Sequence, residues 1–196
     1  MVRLGSWSAA GAAAASIGYG IPQLLQVMGW LHDPLDRILI FAPSLALAPL
    51  FVLALAGAYE QATAAARIWR LGALALGLLY AACVGIVYVV QLGAVIPADM
   101  RGTGASVAAF ACCSAAAPMA KIDLLGYTYM SLATLLLAPS VGRGWLRWLL
   151  IVNGVMAPLI FFQILWPQLI YAAAAWLVVF PAAMILLAVE LARNGG

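Results

Sequence analysis

Asp123 is an acidic residue set inside an apolar stretch, "AKIDLLGYTYMSLATLLLAP" (120–139), with Tyr127 one helical turn beyond it. The chain has only six Asp and Glu residues, so a carboxyl group among leucines invites a chemical reading. Such an acid, with a phenol beside it, is equipped to donate a proton or to hold a polar group of a bound molecule. Tyrosine and glutamine recur at helical spacing in two other apolar stretches. Tyr19, Gln23, Gln26 and Trp30 fall at i, i+4, i+7 and i+11, and Tyr80, Tyr88 and Gln91 at i, i+8 and i+11. Asp123, Tyr127, Met130, Ser131 and Thr134 likewise share one helical face. The candidate ligand-binding set is Tyr19, Gln23, Gln26, Tyr88, Gln91, Asp123 and Tyr127, and Asp123 is the candidate catalytic acid.

Several chemistries are excluded by what accompanies these residues. His32 is the single histidine and sits beside Asp33 in a polar link, so no histidine cluster for zinc or di-iron can form and no metal site is expected. There is no G-x-S-x-G elbow, H-E-x-x-H helix or phosphate-binding loop; "RGTGAS" has glycines without the lysine or the strand. No cofactor is implied. Cys83, Cys112 and Cys113 form no C-x-x-C spacing, and adjacent cysteines bridge only with strain, so buried thiols are expected.

Each candidate also has an ordinary structural reading. Trp30, Trp166 and Tyr171 lie near the ends of apolar stretches, where aromatic residues form a membrane-interface belt. Gln23 and Gln26 can serve as helix glue worth about 0.6–2 kcal/mol per contact. Asp123 near the start of its helix favours the macrodipole without any further role. Lys121 points away from Asp123 and can reach the headgroups.

The elements that must position these residues follow from composition. The chain has 196 residues, 67% of them hydrophobic and 8% charged, with mean hydropathy +1.11. A soluble domain of this size cannot hide that much apolar surface, whereas runs of about 20 apolar residues span a bilayer as helices. The expected fold is all-α, a polytopic helical bundle in one membrane domain, with six spans near 8–30, 37–58, 71–96, 120–139, 146–166 and 168–190. The N-terminal run continues past Gly20, too long for a signal-peptide core, and reads as an uncleaved first span. A short interfacial helix is expected over 104–116, broken from the fourth span at Pro118. Pro43, Pro49, Pro158 and Pro181 fall inside spans and should kink them.

With six spans both termini share a side. That side holds Arg3, Arg67, Arg70, Arg143, Arg147 and Arg193, against Arg37, Arg101 and Lys121 on the other, which favours cytoplasmic termini. Gln23, Gln26, Gln91, Asp123, Tyr127, Gln163, Trp166, Gln168 and Tyr171 then all lie in the outer half, and Asn153 lies deeper. A scattered arrangement is disfavoured, because an Asp at a span centre costs about 2.5–3.5 kcal/mol on insertion scales. The economical arrangement gathers the polar faces into one pocket. The net charge of +3 has no basic block, so nucleic acid is not a partner; membrane lipid, a hydrophobic or amphipathic small molecule and a second copy of the chain are.

Two patterns extend over longer distances. "IGYGI" (17–21) matches "LGYTY" (125–129), "APLFVLAL" (48–55) matches "APLIFFQI" (157–164), and "LLYAAC" (78–83) matches "LIYAAA" (169–174), the pattern of a 3+3 inverted repeat. "VYVVQLGAVIP" (87–97), "LLGYTYMSLATLLLAP" (124–139) and "NGVMAPLIFF" (153–162) resemble stretches of uncharacterised small multipass bacterial membrane proteins. The resemblance implies a bacterial cytoplasmic membrane and carries no activity. The sequence therefore supports a pocket that binds or transports a small amphipathic or lipid-like molecule. It leaves open an intramembrane enzyme with Asp123 as general acid on a lipid or isoprenoid-like substrate, and a non-catalytic scaffold or subunit.

Overall fold

In lipid no water is at hand for the backbone, so an apolar chain satisfies its amides internally as helices. The computed structural model of the chain describes residues 2–113 and 116–193, and among these every regular element is helical. Helices α1 (Val2–Val27), α2 (Leu35–Glu60) and α3 (Arg67–Val90) follow one another through short links. After α3 the helix widens into a π-helical turn, Gln91–Val95, and resumes as α4 (Ile96–Met100). A 3-10 turn (Gly104–Phe110) leads on to α5 (Pro118–Leu137). Then come α6 (Trp145–Val155), α7 (Ala157–Phe161), α8 (Ile170–Ala173) and α9 (Trp176–Arg193).

Five helical stretches are long and apolar enough to cross a membrane: Leu35–Glu60, Arg67–Met100, Pro118–Ser140, Trp145–Ile164 and Trp176–Arg193. The expected first span is the exception. Helix α1 has 26 residues, as many as α2, but Gly, Ser and Gln dilute its apolar content. It ends at Val27, three residues short of the expected boundary, where Gly29 takes a left-handed turn at φ 72°.

The helices close into a ring in which each packs on two neighbours, in the order α1, α2, α3, α5, α6, α9 and back to α1. Glycines set the closest approaches. A Cβ on Gly57 would lie 2.6 Å from the Gly5 Cα, so α1 and α2 touch through their backbones. A Cβ on Gly126 would lie 2.8 Å from the Val84 side chain, which brings α5 against α3. At one end Arg70 ties the ring together, donating to the carbonyls of Ala58 on α2 and Ser140 beyond α5. At the other end Arg37 pairs with Asp33 and, at 2.7 Å, with Asp99 of α4.

Several sequence expectations change. The interfacial segment is a 3-10 turn over Gly104–Phe110 with no buried residue, shorter than the expected helix; Ser114 and Ala115 lie outside the described residues. The last span begins at Trp176, not at 168, because Pro167 keeps Trp166 out of the helical backbone conformation and only short turns follow. The fifth span is interrupted at Met156, just before Pro158, whereas α2 runs unbroken through Pro43 and Pro49. The repeat parts at its third pair: Tyr80 is fully buried in a continuous helix, but Tyr171 is 84% exposed on the short α8. Cys112 and Cys113 are joined in a disulfide rather than held as thiols. They lie in the non-helical stretch after the 3-10 turn, where the neighbouring backbone is not committed to a helix.

Candidate functional site

The polar side chains of five helices converge at the end of the bundle that carries the links 28–34 and 101–113. Helix α3 brings Tyr80 and Tyr88 two turns apart, both at 3% exposure or less. Helix α5 brings Asp123 and Tyr127 one turn apart and half-buried. The hydroxyls of Tyr88 and Tyr127 meet at 3.0 Å, and the Tyr88 hydroxyl also reaches the Asp123 side chain. Tyr127 makes further side-chain contacts with Tyr19 of α1 and Ser44 of α2. Ser44 donates its own proton to the Ile40 carbonyl at 2.8 Å, which leaves its oxygen as an acceptor.

Around this polar knot the aromatic rings form a closed circuit. Trp176 lies 5.4 Å from Tyr127, Tyr127 lies 5.8 Å from Tyr80, and Tyr80 lies 5.7 Å from Phe51, centroid to centroid. Phe51 is 5.6 Å from Phe180, which stacks on Trp176 at 4.6 Å. Tyr19 joins through Trp176, and Phe41 stacks on Tyr88. Edge-to-face and offset pairs of this kind add about 0.5–1.5 kcal/mol each beyond area burial. The expected open pocket is therefore a packed centre, and its rings are in mutual contact.

Hydrogen bonding in the centre is incomplete. Among the described residues the Tyr80 hydroxyl, the Trp176 indole N–H and Asp123 Oδ1 are buried without a protein partner. A buried polar group left unpaired costs about 1–3 kcal/mol, and three in one neighbourhood concentrate that cost where a polar molecule would relieve it.

The other sequence candidates divide. Gln91 is fully buried at the start of the π-helical turn, donates to the Phe110 carbonyl at 2.8 Å and accepts the Cys112 N–H at 2.9 Å. It clamps the 104–113 segment across the bundle end. Gln23 is half-buried, and Gln26 is exposed and donates to Asp36 at 2.7 Å. Trp30 is 74% exposed and past the end of α1, so the predicted α1 face contributes only Tyr19 to the centre. Among the described residues no group of three or more His, Cys, Asp and Glu could hold a metal ion.

Sequence reasoning missed Ser44 and Trp176. Serine carries little signal. Trp176 had one: eight residues into its predicted span it was too deep for an interface belt, and Phe180 follows at the i+4 position. A second, smaller polar group lies further along α5, where the Asn153 amide donates to Thr134 Oγ1 at 2.9 Å. That pair joins α6 to α5 as interhelical glue.

Comparison of the chain with protein-family models, with curated proteins and with solved structures finds no match.

Proposed function

We propose that this integral membrane protein binds, and carries between the leaflets or across the bilayer, a small amphipathic molecule at the centre built from Tyr19, Tyr88, Asp123, Tyr127 and Trp176. In this reading α1 is a sixth span, the termini are cytoplasmic, and the centre lies in the outer half of a bacterial cytoplasmic membrane. The supporting observation is the unpaired trio, Tyr80 hydroxyl, Trp176 N–H and Asp123 Oδ1, set among aromatic rings in one half of the bundle.

Access runs past Trp176. This ring closes the aromatic circuit, and it starts α9 directly after a break at Ala174 and Ala175. The segment before it, 162–175, is a chain of short turns that leaves Phe162, Leu165, Trp166 and Tyr171 on the outside. Swinging Trp176 outward opens the centre sideways to lipid without unwinding a long helix.

A second reading is supported by the Tyr88 contact with Asp123. A carboxyl group with a phenol in reach is the minimum for acid-initiated isomerisation of a lipid-like substrate.

The test is photolabelling of the purified protein in nanodiscs with a diazirine-bearing fatty alcohol. Labelled peptides should map to α1, α3, α5 and the start of α9, and Trp176→Ala should change that pattern. Uniform labelling of the outer surface in every variant would contradict the reading.

A further inference from the structure

The proposed binding centre raises a question of charge. Asp123 is the acid its element brings into it, one helical turn from Tyr127. The ion pairs at this end of the bundle belong to Arg37, which holds Asp33 and Asp99. Neither includes Asp123. One oxygen of this carboxylate, Oδ1, is buried without a hydrogen-bond partner among the described residues. Tyr127, one turn further along the same helix, packs its ring on those of Tyr80 and Trp176, and ring faces are the negative ends of their quadrupoles.

From this geometry we propose that the centre is a receptor for a hydrophobic organic cation, held by the Asp123 carboxylate and the rings of Tyr127, Tyr80 and Trp176. The inference rests on the binding reading given above and adds the class of ligand. An anion finds two donors, the Tyr80 hydroxyl and the Trp176 N–H, but meets the full charge of the Asp123 carboxylate, which outweighs two neutral dipoles at low dielectric. A neutral amphiphile leaves the carboxylate uncompensated. A cation bearing alkyl or aryl groups meets a counter-charge, cation–π faces and apolar walls together, and desolvation strengthens each of these contacts. The cation lifts Trp176 from its stacked position on Phe180 and sits between that ring and Tyr127.

The experiment is equilibrium binding to the full chain in nanodiscs, with tetraphenylphosphonium as the probe and tetraphenylborate as its counterpart of nearly equal size and opposite charge. Wild type should bind tetraphenylphosphonium saturably and ignore tetraphenylborate. Asp123→Asn should weaken the cation by about tenfold or more, which corresponds to about 1.4 kcal/mol. Asp123→Glu should keep most of the affinity, and Trp176→Phe should keep more than Trp176→Ala. Circular dichroism and size-exclusion profiles show which variants are folded, and the Asp123→Glu rescue separates loss of charge from loss of structure. Unchanged cation affinity in folded Asp123→Asn, or equal binding of the borate, overturns the proposal. So does a wild type that takes no tetraphenylphosphonium. In that event the neutral triphenylphosphine oxide decides what else falls. If it binds saturably and Trp176→Ala releases it, the binding centre stands without its charge preference; if it does not bind, the binding reading falls as well.

Discussion

The Tyr88 and Tyr127 hydroxyls meet at 3.0 Å across the α3–α5 contact, at the point where Gly126 lets the two helices approach. This pair joins the apolar packing of the bundle to its polar centre. Tyr88 reaches Asp123, and Tyr127 reaches Tyr19, Ser44 and, through its ring, Trp176. The expected consequences of disturbing each link follow from its surroundings.

Removing the Tyr88 hydroxyl with Tyr88→Phe keeps the ring stacked on Phe41 and takes a partner from Tyr127 and Asp123. The expected loss is about 1 kcal/mol, read as a lower midpoint in detergent-denaturation curves. Far-ultraviolet circular dichroism should be unchanged, because the ring stays packed on Phe41.

Adding a methyl group with Gly126→Ala places a Cβ 2.8 Å from the Val84 side chain and 3.1 Å from Cys83. Overpacking of this sort costs about 1–3 kcal/mol. It should separate α3 from α5, so amide exchange at Tyr88 and Tyr127 should rise while α1 and α2 stay protected.

Gln91→Leu removes both clamps on the 104–113 segment, leaving the Phe110 carbonyl and the Cys112 N–H without their side-chain partner. Limited proteolysis should cut that segment faster in the variant. The helices should remain, because Gln91 holds the segment and not the ring of spans. Equal cleavage of wild type and variant would show that the clamp has no hold on the link.

Trp176→Ala opens the aromatic circuit where it borders the irregular turns before α9. Loss of a buried indole costs about 3–5 kcal/mol when the site cannot collapse. Trp176→Phe retains a ring against Phe180 and should cost less. Thermal unfolding followed by circular dichroism at 222 nm should rank wild type highest, Trp176→Phe next and Trp176→Ala lowest.

Much of the architecture was legible because the lipid solvent leaves few options. Long apolar runs with most of the charge at their ends fix helices, and the predicted faces of α3 and α5 are the ones that meet. Tyr80, Tyr88 and Gln91 are all buried, as are Met130, Ser131 and Thr134. The α1 face could not be read to its end, since the helix stops at Val27 and Trp30 follows a left-handed glycine. Periodicity assumes a helix and cannot announce where it ends. The late start of α9 was hidden for the same reason: "LIYAAAAW" looks helical, and the deviation begins with the backbone constraint that Pro167 places on Trp166. Trp176 then enters the centre from a position that a continuous span would have placed among the interior apolar residues. Gln91 lay on the right face, but its partners are backbone groups of a non-helical segment, which side-chain spacing does not register.

The central claim is that the Asp123, Tyr127 and Trp176 centre holds a molecule. Mass spectrometry of what co-purifies with gently extracted wild type, Asp123→Asn and Trp176→Ala tests it most directly. The account predicts a defined compound in near-stoichiometric amount on the wild type and its loss from both folded variants. The same bulk lipid on all three, and no defined compound on any, would contradict it and leave the centre as glue between helices.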